Sequence, residues 1–346
     1  MDNRGLSGLG LSGLANLGNT CFINSCMQVL SHTALLNNFL EKNEGSYKQK
    51  LSAYHNKNYL LDSKLLVEWD NLRKMMWNEN VIISPQGFLK AVHYVAKQKQ
   101  KDIFTGYAQN DLPEFLLFII DAFHNGMRRE VDMNIKGDVK NETDKLAIKC
   151  FEMMKQMYSN EYSELLDIFY GIHVSVIEKE GKILSIKPEP YFIIDLPLDL
   201  EKNVINIKDC FKKYCSSEVI EGWKNEETNE YERVEKKIKF WNFPNILVID
   251  LKRFTFDGKK IQKPINLELD DLDLTEFVEG YNKNSFKYEL YGICNHSGGV
   301  LGGHYTATIK VKSGDWFLFN DTNVSKTTFT GENNTSGYCL FYRKKN

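Results

Sequence analysis

This chain has little of what would mark a specialised protein, and each lack excludes something. Its 44 basic and 46 acidic residues leave a formal net charge of −2. That balance gives no reason to expect nucleic acid or an anionic membrane as a partner. No apolar run approaches the ~20 residues that a membrane-spanning helix needs. Residues 1–8 carry Asp2 and Arg4 and no apolar core, so no secretory signal is expected there. There are only seven cysteines in 346 residues, an odd number spread thinly. This argues against a disulfide framework and for reduced thiols, as in cytosol or nucleus. No internal repeat or low-complexity segment is present. Hydrophobic residues make up 42% and charged residues 26% of the chain. Such a composition at this length buries a large core in one or two domains.

Two stretches carry chemistry. The first runs Gly13-Leu14-Ala15-Asn16-Leu17-Gly18-Asn19-Thr20-Cys21-Phe22-Ile23-Asn24-Ser25. Gly18, Asn19 and Thr20 read as a turn and helix N-cap, and Phe22, Ile23, Cys26, Val29 and Leu30 follow as a helical stripe. A thiol at that point faces unpaired backbone N–H groups and the positive end of the helix dipole. Both favour the thiolate, which is the nucleophile. Taken alone, a buried structural cysteine is the commoner reading. The second stretch is Asn295-His296-Ser297-Gly298-Gly299-Val300-Leu301-Gly302-Gly303-His304-Tyr305-Thr306-Ala307-Thr308-Ile309. A glycine-rich segment delivers His304 to the start of a strand. A turn signal at Lys312-Ser313-Gly314-Asp315 and a second strand at Trp316-Phe317-Leu318-Phe319 follow. The hairpin returns Asn320 and Asp321 to the end where His304 lies. Successive strand residues face opposite ways, so only one of the two can face His304, and the parity of the turn decides which. A Cys, a His and an Asn or Asp can thus converge, as a thiol nucleophile with an oriented base requires.

Helical periodicity covers residues 22–40, 60–77, a helix opened by Ser84-Pro85, 111–123 and 148–167. Residues 125–147 are polar and read as a connection. From Phe169 the pattern turns to strands: 171–177, 182–187, 191–196, 236–241, 246–251, 288–294, 305–311, 316–319 and 338–342. Helices followed by strands predict an α+β fold.

In these motifs the chain resembles the ubiquitin-specific proteases, the papain-like class of deubiquitinating cysteine enzymes. The first stretch is similar to their cysteine box, and Gly302 to Thr308 to their histidine box. Gln109-Asn110-Asp111-Leu112-Pro113-Glu114-Phe115-Leu116 resembles their Gln/Asp box. Leu251-Lys252-Arg253-Phe254 and Tyr338-Cys339-Leu340-Phe341-Tyr342 match two further segments, all in the family's order. The resemblance implies one catalytic domain over residues 9–346. Its helical thumb would span about 13–168, and its β fingers and β palm about 169–346. Cys21 and His304 would face each other across the cleft between thumb and palm.

The resemblance also implies roles. Cys21 would attack the carbonyl of ubiquitin's C-terminal glycine and form a thioester. His304 would take the thiol proton and return it to the leaving lysine amine. Asn320 stands where the family places the residue that orients the histidine, with Asp321 assisting or taking that part itself. Asn16 would donate its amide to the oxyanion. Asp111 and Glu114 share one face at a helix start, where complementing the dipole is a sufficient reason for them; the family reading adds recognition of the basic ubiquitin tail. Phe254 and Tyr305 would wall the tunnel for the tail's two glycines, or simply be core. His296 reads as a local turn cap. The loops 297–303 and 270–285 would gate the tunnel. Phe22 stands where the family usually has Tyr, and Pro113 sits inside the Gln/Asp box. Many relatives bind zinc at the fingertips through two Cys-x-x-Cys pairs. Here those places hold none, and Cys210 and Cys215 have no second pair, so neither metal nor other cofactor is expected. The expected partners are ubiquitin and ubiquitinated proteins. A silent ubiquitin-binding module and a protease for a ubiquitin-like modifier are the alternatives.

Overall fold

The order of elements follows the switch from helical to strand periodicity. In a computed structural model, which describes residues 8–53, 57–106, 108–299 and 302–345, the chain opens with β1 (Gly13–Leu14) and α1 (Cys21–Ser31). It continues through α2 (Ala34–Ala53), α3 (Lys57–Asn78), β2 (Ile82–Ile83), α4 (Gln86–Gln98), α5 (Leu112–Met127), α6 (Glu142–Glu161) and α7 (Glu164–Phe169). Then come β3 (Gly171–Lys179), β4 (Lys182–Tyr191), β5 (Ile193–Leu196), β6 (Ile205–Asn206), α8 (Ile207–Tyr214), β7 (Glu218–Lys224), β8 (Tyr231–Asn242) and β9 (Ile246–Leu251). The last elements are β10 (Ile265–Asn266), β11 (Leu272–Asp273), β12 (Lys287–Gly299), β13 (Gly302–Lys310), β14 (Trp316–Asn320), β15 (Asn323–Thr327) and β16 (Gly337–Lys344).

The fold is α+β, with helical thumb, β fingers and β palm. The fingers are a four-stranded antiparallel sheet in the order β4-β3-β8-β7. The palm is an eight-stranded sheet, β15-β14-β13-β12-β16-β9-β5, with β11 attached to β12. One hydrophobic core joins α1 to α5 with the inner face of the palm; it includes Cys26, Val29, Phe115, Val248, Cys294 and Phe341. A second core, around Phe211, Phe240 and Tyr288, fills the palm's other side. A third seats α6 on the fingers through Ala147, Cys150, Val174, Val176 and Trp241.

α1 is buried along its whole length, and so is a central helix with neighbours on every side. Gly292 on β12 makes that possible. A Cβ there would lie 2.6 Å from Val29 Cγ1, so only glycine lets the strand pass under the helix. α1 ends at Ser31, well before residue 40. There Ser31 and Thr33 hydroxyls turn back onto the Gln28 and Val29 carbonyls, and Asn37 Nδ2 donates to Ser31 O at 2.7 Å. Such side chains compete with the helical ladder and end it. α6 starts at Glu142, inside the segment read as a connection. A capping box, with Asn141 and Asp144 each bonding the other's backbone, sets that start. Pro113 is accommodated in the first turn of α5, where its missing N–H costs no helical bond. β7 and β15 carry too few alternating apolar residues to be seen in sequence. They are edge strands, mostly exposed. At the fingertips, Asn225 Nδ2 donates to Glu232 at 2.7 Å, and Glu232 also pairs with Lys179 across the sheet at 2.8 Å. Cys210 is buried on α8 and Cys215 half-buried at its end. Among the described residues no three His, Cys, Asp or Glu side chains gather into a metal site.

Candidate active site

Cys21 is the first residue of α1 and is buried where the helix meets the β13 strand. The backbone N–H groups of Tyr305, Phe22 and Cys21 itself are directed at its sulfur and favour the thiolate. Burial works against them and is the larger effect. With the Asp321 carboxylate adding to it, the thiol is pushed above its ordinary range. The helix terminus therefore does not produce a resting thiolate, contrary to the expectation from sequence. Nor does any hydrogen bond join Cys21 to His304 among the described residues.

The β13–β14 hairpin settles the parity question. Ala307 pairs with Phe319 and Lys310 with Trp316, so the turn 311–315 has an odd number of residues. Continuing that register puts Asn320 on the face of His304 and Asp321 on the other. Asn320 Oδ1 lies 2.7 Å from His304 Nε2. With that oxygen toward the ring, Nε2–H donates and Nδ1 keeps its lone pair. Asp321 leaves the strand with φ +50° and does not meet His304. Its carboxylate accepts from Asn24 Nδ2 at 2.7 Å and from Asn16 Nδ2 at 3.0 Å, and its carbonyl accepts Leu14 N–H at 2.9 Å. Asn16 is thereby held on three sides, since its Oδ1 accepts from the Gly18 and Thr20 N–H groups at 3.1 Å each. Its amide nitrogen carries a second hydrogen beyond the one given to Asp321.

Asp111 is the N-cap of α5. One oxygen accepts Glu114 N–H at 3.3 Å and the other accepts the Tyr338 hydroxyl at 2.5 Å, tying thumb to palm. Glu114 is exposed beside it. Tyr305 is buried, with Leu112 N–H directed at its hydroxyl. Phe254 is half-buried, and its ring lies 5.6 Å from His296 and 5.9 Å from Tyr338. His296 is not a turn cap. Its ring is buried in this aromatic cluster, 4.7 Å from Tyr305, and burial with Lys260 nearby holds it down to about 4. It is neutral at ordinary pH and packs rather than titrates. Gly303 lies beneath that ring; a Cβ there would be 2.2 Å from His296 Nε2.

Of the segments read as gates, 297–303 is mostly ladder. Ser297, Gly298 and Gly299 pair with His304, Gly303 and Gly302, leaving residues 300–301 outside the described residues. The segment 270–285 contains β11 and two 3-10 turns, buries Leu272, Leu274 and Val278, and sets Tyr281 against Trp241 of the fingers. The turn beside His296 is 254–260 instead, where Lys260 Nζ donates to the His296 carbonyl at 2.5 Å.

Sequence reasoning missed three groups. Asn24 lies one helical turn after Cys21, a spacing that places it on the same face. Gln109 bonds both backbone groups of Gly303: Oε1 accepts its N–H and Nε2 donates to its carbonyl, each at 2.7 Å. Arg253, read only as part of a signature, is fully buried. It donates to four carbonyls, those of Gly337, Ile261, Lys263 and Asn334. It thereby holds the turn carrying Phe254 against the closing strand. Gln109 too was read only as part of a motif, and no local pattern gives the role of either residue, because their partners are distant in sequence.

The sequence profile of the family described as ubiquitin carboxyl-terminal hydrolase matches residues 12–342. Ubiquitin carboxyl-terminal hydrolase 2 of Homo sapiens is 32% identical over 349 residues, covering 97% of this chain and 55% of that protein. The Gallus gallus protein of that name is 32% identical, covering 96% and 93%. A probable ubiquitin carboxyl-terminal hydrolase of Acanthamoeba polyphaga mimivirus is 25% identical, covering 99% and 92%. The chain spans about half the length of the mammalian relatives it matches. Among solved structures, the SAGA Ubp8/Sgf11/Sus1/Sgf73 DUB module bound to ubiquitin aldehyde shares the fold, with a TM-score of 0.68 at 22% identity over 99% of this chain and 71% of that one. A match over residues 12–342 places the chain in the ubiquitin carboxyl-terminal hydrolase family.

Proposed function

We propose that the chain is a thiol-dependent deubiquitinase that hydrolyses the isopeptide or peptide bond after ubiquitin's C-terminal glycine. The observation that carries this reading is the His304–Asn320 pair at 2.7 Å, on a strand whose next N–H is directed at the Cys21 sulfur. Asn320 fixes Nε2 as the protonated nitrogen and leaves Nδ1 to accept the thiol proton. Because burial disfavours the resting thiolate, that proton moves to His304 as the sulfur attacks the glycine carbonyl. The resulting oxyanion takes the second Asn16 hydrogen and the Cys21 backbone N–H. Collapse forms the thioester, and His304 gives its proton to the departing amine. Water then attacks with His304 as base, releasing the ubiquitin carboxylate and the free thiol. The exposed carboxylates of Asp111 and Glu114 fit the arginines of the tail, and Phe254 and Tyr305 fit the walls of its channel. All seven cysteines are free, which suits cytosol or nucleus.

The test is steady-state cleavage of a fluorogenic ubiquitin amide. Cys21→Ala should abolish turnover and keep ubiquitin binding; His304→Ala should lose at least about a hundredfold in kcat, the lower range of general-base catalysis. Substantial turnover by the Cys21 variant overturns the reading. Ubiquitin bearing a C-terminal electrophile should form an adduct at Cys21, which a silent binder would not. The same electrophile on ubiquitin-like modifiers distinguishes substrate classes.

A further inference from the structure

β13 extends past its partner on one side. Its pairing with β14 runs from Lys310↔Trp316 to Ala307↔Phe319, and the chain turns away at Asp321. Among the described residues, no strand lies beside this edge of Gly303 to Tyr305. Residues two apart in an antiparallel strand show their N–H and C=O to the same edge. The Tyr305 N–H on that edge is directed at Cys21. Both Gly303 groups on it are taken by the Gln109 carboxamide, at 2.7 Å each. One donor and one acceptor bonded to a single residue is what a neighbouring strand's peptide groups provide. A peptide laid along this edge with its reacting carbonyl at the sulfur has further peptide groups about 6.6 Å away, beside Gly303. Gln109 occupies the place they would take.

We propose that Gln109 is a displaceable cap on the substrate-reading edge of β13, standing in for a peptide group of the ubiquitin tail at Gly303 and giving way to it on binding. This rests on the deubiquitinase reading of the site. Gln109 is exposed, so its carboxamide exchanges Gly303 for water at little cost. Gly303 is covered in the free enzyme, and the tail must compete for it. The cap therefore lowers affinity and leaves the chemistry at Cys21 to other groups. The rival role is a fastener, in which Gln109 must stay in place to hold the His304 strand against the thumb.

Gln109→Ala and Gln109→Glu separate these roles. The first removes both bonds; the second accepts from Gly303 N–H and cannot donate to its carbonyl. With the fluorogenic ubiquitin amide, Gln109→Ala should lower KM roughly 3- to 10-fold, the worth of one net hydrogen bond, and raise kcat/KM. Gln109→Glu should fall between it and the wild type. In the free protein, amide exchange over Gly302 to Tyr305 should be faster in Gln109→Ala; with ubiquitin bound, the variant and wild type should be equally protected. A raised KM, a lowered kcat or unchanged exchange in the free variant overturns the cap. If the wild type cleaves ubiquitin and Gln109→Ala binds it more weakly, only the cap fails. If the wild type neither binds nor cleaves ubiquitin, the reading of the site fails as well.

Discussion

The His304 ring and the Asn16 amide nitrogen each meet one polar side chain, and those two side chains are adjacent in sequence. Asn320 orients the imidazole, whereas Asp321 holds the Asn16 and Asn24 amides and sits close enough to Cys21 to disfavour its thiolate. The two residues should therefore fail differently. Asn320→Ala should lower kcat by roughly 10- to 100-fold, a large part of what an oriented base supplies. Asp321→Asn should cost less in kcat and shift the chemistry of the thiol. Removing an anion beside a thiol lowers its pKa, so the midpoint of Cys21 alkylation by iodoacetamide should move to lower pH. Kinetics and the alkylation profile of the two variants check this. An upward shift, or a larger kcat loss at Asp321, exchanges their roles. Cys21 and His304 were conspicuous in sequence because each lies in a long local motif. Asn24 and Gln109 were not, because their meaning lies in a partner some 200 or 300 residues away.

At the scale of the element, the start of α5 carries two explanations for one carboxylate. Asp111 caps the helix and accepts the Tyr338 hydroxyl, and it is also exposed, as the proposed contact with a basic tail requires. Substitutions separate these. Asn is as good an N-cap as Asp and still accepts a hydroxyl, whereas Ala does neither. Asp111→Ala should cost about 0.5–2 kcal/mol of stability from the cap alone. Asp111→Asn should leave the melting temperature unchanged and weaken ubiquitin binding at low salt, with the loss shrinking at high salt. Calorimetric binding at two ionic strengths checks it. Unchanged affinity in Asp111→Asn would leave the cap as the whole explanation. The start of α5 was readable from its apolar periodicity and its first-turn carboxylates, although the cap at Asp111 was not. The misreading at Asn141 came from weighing the polarity of the segment over its capping box.

Near the point where Asp111 ties thumb to palm, β9 carries a half-buried acid. Asp250 on β9 has a buried Oδ1 without a hydrogen-bond partner among the described residues. Its carboxyl is pushed up to about 8, first by burial and then by Asp111 and Asp195. The unfolded chain loses that proton near its ordinary value of 3.8, so between those limits the folded state binds the extra proton. Stability from this group is full below about pH 4 and falls as pH rises through 8. His32 and His296, both held down to about 4 by burial, act oppositely; their contribution falls as pH drops from 6.5 to 4. Asp62, raised to about 6 by burial, opposes the histidines in the acid range. Above pH 6.5 the slope from Asp250 should dominate among these groups. The melting temperature should decline from pH 6.5 to 8.5, and Asp250→Asn should flatten that decline and raise the value at pH 8. Parallel slopes in variant and wild type would show that Asp250 is ionised at neutral pH.

The sequence by itself determined which residues are chemically equipped and where helices give way to strands. A nucleophile, a base and a turn signal are local patterns, and periodicity is set by backbone geometry over a few residues. The helical stripe after Cys21 and the largely apolar run Ile246–Leu251, rich in β-branched residues, needed no partner to be read. Only the tertiary structure decided how those groups are tuned. Asn320 rather than Asp321 meets His304 because the odd turn sets the register. The thiol is raised because α1 is sunk in the core, a desolvation that outweighs the helix terminus the sequence pointed to. His296 packs instead of capping because three aromatic rings from separate strands and turns close on it. Burial, register and distant hydrogen bonds depend on what the rest of the chain brings alongside, and no local window contains that information.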